Sequence, residues 1–312
     1  MPEKILILGY GPIGQAIVQQ LAAAGRTSTI VQRRRPENLP EGAVFEACDA
    51  LDGPALRRVV QGASAVVCTI GLAYDSAVWE KSWPRLMTNM LDACEAAGAR
   101  LVFIDNVYMY GPQDAPLTED LPMAATGRKG KVRAAITRQW QASYKAGRVR
   151  TAALRAPDFY GPGTTLSIFG DATIGALAKG RTAQLVVAPD APHALAYVPD
   201  IARAAILLLD APDDAYGQIW HAPCAPARAP RELLGMAASR LGVGLRLMAL
   251  PGWLMPLLGL FMPFLREWHE TYFQHDRPFR VDSRKFEQRF GVQPTPLEEG
   301  IEATAESFRR PH

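Results

Sequence analysis

Lys4-Ile5-Leu6-Ile7-Leu8-Gly9-Tyr10-Gly11-Pro12-Ile13-Gly14-Gln15 is the stretch that decides how this chain folds. A short apolar run enters Gly-x-Gly-x-x-Gly, and apolar residues at helical spacing follow from Ile13 to Leu21. Strand, glycine turn and helix in that order predict a dinucleotide-binding unit. Gly9 permits the tight turn after the strand, Gly11 lets the backbone approach a pyrophosphate, and Gly14 lets the helix pack closely on the sheet. Pro12 suits the first helical turn, where its missing N–H costs nothing. The amides of that turn, around Ile13 and Gly14, and the positive end of the helix dipole then face the anion.

Outward from this unit, strands and helices alternate. The pattern predicts strands at Lys4–Leu8, Thr27–Gln32, Val44–Ala47, Ala65–Thr69, Leu101–Ile104 and Arg150–Leu154. Helices are predicted at Pro12–Ala24, Pro54–Val60, Val78–Ala97 and Lys129–Lys145, with Gly25 and Gly98 placed to stop two of them. Nearly continuous apolar strands joined by helices imply a parallel sheet covered on both faces, an α/β doubly wound fold of the Rossmann type. From Ala156 onward Pro and Gly become frequent and the elements shorten, as in a smaller carboxyl-terminal domain that binds substrate. The expected division is 1–156, completed by about 195–221, for the cofactor domain, and 157–194 with 222–312 for the substrate domain or lid.

The bulk properties narrow the function classes. A chain of 312 residues with 48% hydrophobic and 21% charged content can bury a full core. Its net charge of +3 does not call for nucleic acid. Leu121–Pro157 has no acidic residue and many basic ones, but only Trp140 and Tyr144 among aromatic residues lie between the charges, too few for a base-stacking platform, so a solvated helix face with phosphate contacts is expected. Cys48, Cys68, Cys94 and Cys224 lack zinc or disulfide spacing, and the five histidines show no metal-ligand spacing, so no metal is expected. Leu245–Phe264 is apolar but broken by Arg246, Pro251, Pro256 and Pro263, which favours a lid or buried hairpin over a membrane span. With no signal peptide in view, a cytoplasmic enzyme is expected.

The end of the second strand, Ile30-Val31-Gln32-Arg33-Arg34-Arg35, chooses between cofactors. An acidic residue there would bond the ribose hydroxyls of NAD, whereas arginine accommodates a 2′-phosphate. Arg33 and Arg34 therefore favour NADP, with NAD as the alternative. Asp49, just after the third strand, is placed to reach the adenine amino group.

Further motifs accumulate: Cys48-Asp49, Tyr110-Gly111-Pro112, Leu117-Thr118-Glu119-Asp120, Leu154-Arg155-Ala156-Pro157-Asp158-Phe159-Tyr160-Gly161-Pro162-Gly163 and Tyr197-Val198-Pro199-Asp200-Ile201-Ala202. Together with the glycines, they make nearly the whole chain resemble the extended short-chain dehydrogenase/reductase superfamily, in its NAD-dependent epimerase/dehydratase group. The resemblance implies a nicotinamide cofactor contacted also by Pro157. The glycine spacing departs from the Gly-x-x-Gly-x-x-Gly usual in extended members, which marks an atypical one.

The active-site positions depart further. Such proteins follow strand five with a serine or threonine and place Tyr-x-x-x-Lys on the next long helix. Counting back from Tyr110-Gly111 puts Asn106 at the hydroxyl position. Lys131 matches the lysine, which contacts the nicotinamide ribose, and this puts Gly127 where the tyrosine should stand, beside Thr126. The usual proton donor is absent. Tyr108 is the candidate replacement, sharing a face with Asn106 if the chain stays extended, while Asn106 would donate to a developing oxyanion. On the substrate side, His193 replaces the arginine with which nucleotide-sugar members grip a diphosphate, and a largely neutral histidine is a poor clamp. Tyr108, Asp158, His193 and Trp253 are the candidate substrate contacts, with an aromatic run from Trp253 to Phe273 as an apolar wall.

These expectations converge on an NADP(H)-dependent oxidoreductase acting on a carbonyl or hydroxyl of a small apolar molecule. The alternatives are a sugar-type epimerase/dehydratase with NAD, or a non-catalytic NADP-sensing protein. The helices Val78–Ala97 and Lys129–Lys145 hold the positions of the two-fold face in related enzymes. Because the second lacks acids, a monomer or weak homodimer is expected.

Overall fold

A computed structural model describes residues 3–250 and 263–309. Its contacts divide the chain into two compact units. One comprises Met1–Met109, Arg128–Arg155 and Ile201–Trp220, the other Tyr110–Gly127, Ala156–Asp200 and His221–His312. The segment 110–127, which the sequence pattern kept with the cofactor domain, thus belongs to the second unit.

The first unit is built on a sheet of seven strands among the described residues: β1 (Ile5–Leu8), β2 (Ser28–Gln32), β3 (Ala43–Ala47), β4 (Ala65–Cys68), β5 (Arg100–Asp105), β6 (Thr151–Arg155) and, after three strands of the second unit, β10 (Ile219–His221). Their spatial order is β10-β6-β5-β4-β1-β2-β3, and the pairs from β6 to β3 are parallel. The order reverses beside β1, where doubly wound sheets bind their ligands at the carboxyl ends of the strands. Every residue of β1, β4 and β6 is buried, as strands covered on both faces must be.

Helices α1 (Pro12–Ala23), α2 (Gly53–Val60), α3 (Ser76–Ala97) and α4 (Arg128–Lys145) connect them. Asp52 and Asp75 cap α2 and α3, accepting from the amides of Ala55 (3.1 Å) and Val78 (2.9 Å). Gly98, at φ +66°, ends α3 in the left-handed conformation that a glycine adopts without strain. The α3 and α4 faces pack through Trp83 and Trp140, both fully buried, with Trp83 edge-on to Phe103 of β5 at 6.0 Å.

The second unit contains two parallel strand pairs, β7 (Asp158–Tyr160) with β9 (Leu195–Tyr197), and β8 (Ala183–Leu185) with β11 (Leu247–Ala249). Around them lie α5 (Ile174–Ala178), α7 (Pro230–Leu241), α8 (Pro263–His269), α9 (Arg284–Phe290) and α10 (Leu297–Arg309), while α6 (Val198–Asp210) starts in the second unit and belongs from Ile201 on to the first. Gly300 admits the Tyr160 ring against α10, since a Cβ there would stand 2.3 Å from the phenol oxygen. The Asp200 carboxylate accepts from the amide and hydroxyl of Thr295 at 2.6 and 2.9 Å. The apolar stretch expected as a lid or hairpin begins as strand β11 rather than helix; its middle, 251–262 with Trp253, Leu257 and Phe261, lies outside the described residues, and its last two residues open α8.

Candidate functional site

The glycine turn joins β1 to α1 in the first unit, and its three glycines have three different reasons to be glycine. Gly9 sits at φ +97°, and a Cβ there would press on the Ile70 backbone at 3.1 Å. At Gly14 a Cβ would meet the Gly9 carbonyl oxygen at 2.4 Å and Thr69 Oγ1 at 2.9 Å. Thr69 in turn donates its hydroxyl to that carbonyl (2.9 Å) and so fixes the turn against β4. Gly11 is different: a Cβ there would find nothing of the protein within 4 Å, and its backbone is in an ordinary extended conformation. Its missing side chain leaves room for something other than protein. No side chain caps α1, and Pro12 occupies its first turn, so the amide groups of that turn remain directed at the same space. These residues fit a dinucleotide pyrophosphate.

Beyond β2 the side chains of Arg33 and Arg34 are exposed. The Gln32 amide donates to the Arg34 carbonyl (2.7 Å) and shapes the turn that presents them, while Arg35 lies over the Phe45 ring at 5.9 Å. Asp49 is exposed and accepts from the Leu51 amide at 2.9 Å. Pro157 is buried in the second unit.

At the carboxyl end of β5 the chain does not stay extended. Asp105 is the last strand residue, and Tyr108–Tyr110 form a 3-10 turn. The Asp105 carboxylate accepts from the Asn106 amide (2.8 Å), and the Asn106 side-chain oxygen accepts from the Tyr108 amide (3.1 Å). Two consecutive side-chain-to-backbone bonds thus replace the alternation expected for Asn106 and Tyr108. This is the local competition that Asp and Asn offer to a strand ladder.

The Tyr108 ring stacks on Trp79 at 6.1 Å and meets Tyr74 edge-on at 6.5 Å. Two cations of α4 flank this aromatic group. Arg133 lies 4.6 Å from the Trp79 ring and 3.9 Å from Trp83, and donates to Asp105 at 3.0 Å. The Lys129 ammonium sits over Tyr74 at 4.6 Å and donates to Ser76 Oγ at 2.9 Å. Burial lowers the Arg133 pKa, while the Asp105 carboxylate and the Tyr108 phenol act against that shift. Arg155 approaches the other Asp105 oxygen at 3.5 Å.

Lys131 lies on the opposite side of α4 and is exposed. Lys129 and Arg133 are the buried pair, one helical turn apart on the face that also carries Val132, Ile136 and Trp140. Sequence reasoning passed over both cations. The signal was present in the phase of that apolar face, which the basic residues masked. Thr126 is exposed in the second unit, and beside it a Cβ on Gly127 would stand 2.6 Å from Glu270 Oε1. A carboxylate therefore fills the space where a side chain at 127 would begin.

The second unit holds its own polar cluster. His193 Nε2 and Asp158 Oδ2 are 2.9 Å apart, and His275 Nδ1 stands 3.6 Å from the same oxygen. The two imidazoles stack at 5.2 Å; Trp268 covers His275 at 4.6 Å, and Phe279 lies 5.2 Å from His193. Burial pushes His275 down to about 4, so its imidazole is neutral near pH 7. Desolvation would raise the Asp158 carboxyl, but the two histidines hold it below the usual range. Asp158 and His193 were expected near substrate; His275 was not foreseen, because nothing in its local sequence marks it.

The NAD dependent epimerase/dehydratase family model matches residues 5–221, and the chain belongs to that family. It is an enzyme of the NAD(P)-dependent short-chain dehydrogenase/reductase type. No curated protein matches the sequence. Among solved structures it is similar to the UDP-glucose 4-epimerase of Thermus thermophilus in complex with NAD, at 21% identity over 98% of this chain and 99% of the other, with a TM-score of 0.76. It is also similar to the UDP-glucuronic acid 4-epimerase of Bacillus cereus in complex with NAD, at 16% identity, 98% of each chain and a TM-score of 0.79. A third is the dTDP-glucose 4,6-dehydratase of Streptomyces venezuelae, at 19% identity, 98% and 97% coverage and a TM-score of 0.77. At these identities the likeness is one of fold. No helix of the described residues is long and apolar enough to cross a membrane.

Proposed function

We propose that this enzyme is an NADP(H)-dependent oxidoreductase acting on a carbonyl or hydroxyl of a small apolar substrate, with Tyr108 as its proton donor. The observation that carries this reading is the Tyr108 ring held against Trp79 and Tyr74, with the buried Arg133 guanidinium 4.6 Å from that same Trp79 ring. A phenol gives up its proton near neutral pH only when neighbouring positive charge stabilises the phenolate. Arg133 and Lys129 supply that charge from one face of α4. Asn106, whose Oδ1 is taken by the Tyr108 amide, offers its Nδ2 to the developing oxyanion.

The glycine turn binds the pyrophosphate through Gly9, Gly11, Ile13 and Gly14. Arg33 and Arg34 read the 2′-phosphate that distinguishes NADP and Asp49 the adenine, while Lys131, on the exposed side of α4 away from Tyr108, does not make the ribose contact that the resemblance implied. The nicotinamide, when bound, supplies or accepts the hydride. The protein's own part is to orient the substrate oxygen and to hold or release the proton at Tyr108 Oη. Free, buried cysteines accord with a reducing cytoplasm, and the exposed basic side of α4 with a monomer or weak homodimer.

Tyr108→Phe tests the assignment. Hydride transfer measured in the pre-steady state should fall by roughly 10²–10⁴-fold, the loss expected for a missing general acid, with cofactor affinity unchanged. Wild-type rates in that variant would leave Tyr108 a packing residue.

The family match favours a second reading, an epimerase or dehydratase that retains NAD through its cycle. Net consumption of NADPH with a carbonyl panel supports the first reading. Cofactor that stays bound through purification, without net turnover, supports the second.

A further inference from the structure

The Asp158, His193 and His275 side chains come from three separate segments, the start of β7, the approach to β9 and the turn after α8. Their ligand atoms, one carboxylate oxygen and two imidazole nitrogens, all lie within 4.8 Å of one another. We propose that these three residues form a binding site for a divalent transition-metal ion of the zinc class, in addition to the dinucleotide site.

The spacing fits. Zinc bound at about 2.0–2.2 Å from N and O ligands puts neighbouring ligand atoms roughly 3–3.6 Å apart. The two distances to Asp158 Oδ2 are 2.9 and 3.6 Å. The two imidazole nitrogens lie within 4.8 Å of each other, so binding would turn the two rings toward a common point.

The chemistry fits as well. Two imidazoles and one carboxylate are a borderline donor set, suited to zinc, cobalt or iron rather than to magnesium or calcium, which prefer oxygen alone. A second observation points to a ligand independently of the clustering. His275 Nδ1 is buried and has no hydrogen-bond partner, with only 4% of the residue exposed. Buried polar atoms are normally paired, and an unpaired one calls for an explanation. A metal ion in contact with the His275 lone pair supplies it.

The ring positions are set in advance by backbone bonds. His193 donates its amide to the Arg228 carbonyl at 3.0 Å, and the neighbouring Ala194 donates to Phe279 at 2.9 Å. His275 donates to the Tyr272 carbonyl at 2.8 Å and accepts from the Ala188 amide at 2.7 Å. Trp268 and Phe279 wall the two rings from the sides. The Asp158 side chain is 24% exposed, which leaves an approach for the ion. Three protein ligands also leave a coordination position for water or a substrate oxygen, as in metal sites that do chemistry rather than only hold a fold.

The test uses the full-length protein stripped with a chelator and titrated with Zn²⁺ and, separately, Co²⁺. The expected result is one equivalent bound with submicromolar affinity for Zn²⁺, a rise in melting temperature, and the visible bands of low-symmetry Co²⁺. His193→Ala, His275→Ala and the near-isosteric Asp158→Asn should each weaken binding by roughly 100-fold or more, since even outer partners of such ligands are worth 10–100-fold. Asp158→Asn keeps the shape of the site if an alanine variant fails to fold. Binding no tighter than about 100 µM, or tight binding that survives Asp158→Asn, overturns the proposal and leaves a hydrogen-bonded Asp–His pair. Neither readout depends on turnover, so this outcome is separate from that of Tyr108.

Discussion

Arg33 and Arg34 show what a single side chain can decide. Both are exposed at the end of β2, so neither supports the fold, and their replacement should leave stability within about 0.5 kcal/mol. NADPH should bind more tightly than NADH by about 1–3 kcal/mol, the value of charge-assisted hydrogen bonds to one extra phosphate. Calorimetric titration with both cofactors measures the difference. In the Arg33→Ala, Arg34→Ala double variant the preference should vanish while NADH binding persists. Equal affinities in the wild type would return the cofactor to NAD. Buried arginines behave otherwise. Arg133 and Arg155 share the Asp105 carboxylate away from water, where each charge is tolerable only because the others are in place. That interdependence makes the end of β5 a rigid support for Asn106 and Tyr108.

At the level of the element, the β1–α1 turn separates glycines that the protein's own packing requires from one that it does not. Gly14→Ala would drive a Cβ into the Gly9 carbonyl and should lower the melting temperature by several degrees. Gly11→Ala meets no protein atom and should melt as the wild type does, yet lose most of its cofactor affinity. Thermal denaturation alongside cofactor titration distinguishes the two, and a Gly11→Ala variant with normal affinity would place the pyrophosphate elsewhere. This turn was legible in the sequence because strand, glycines and helix are contiguous. The neighbouring strands were legible for the same reason, and β1 to β6 fall within a residue or so of their apolar runs. The phase of α4 was harder to read. Lys129 and Arg133 read as solvent-facing, but aromatic rings and Asp105 make their burial tolerable, and those partners come from the segment before α3, from α3 and from β5. Local pattern carries no such information. The same holds for His275, which meets Asp158 and His193 only through the path of the folded chain, and for Tyr108, whose turn is set by two side-chain bonds rather than by strand propensity.

On the scale of the molecule, α4 presents Lys131, Ala135, Arg138 and Ala142 to solvent, a basic side with two small residues. Arg128 and Arg148 flank it but are paired with Glu80 and with Asp92 and Glu95 of α3, so the repulsion between two such faces is smaller than the sequence charge implies. Exposed charges are screened over about 8 Å at 0.15 M salt. The protein is therefore expected to be a monomer at low ionic strength, with weak self-association appearing as salt rises; light scattering that finds a tight dimer at low salt would contradict this. The division into two units has a further consequence. The chain passes from one to the other at 109/110, 127/128, 155/156, 200/201 and 220/221. A ribosome therefore delivers the parts of both in alternation. When β6 emerges, the first sheet still awaits β10, more than sixty positions later, and its β6 edge stays unpaired while β7, β8 and β9 are being made. Folding of this protein cannot proceed as one finished domain followed by the next, as it does for chains whose domains are consecutive. Throughout that interval the open edge of β6 is a surface that a chaperone, or a neighbouring nascent chain, can reach first.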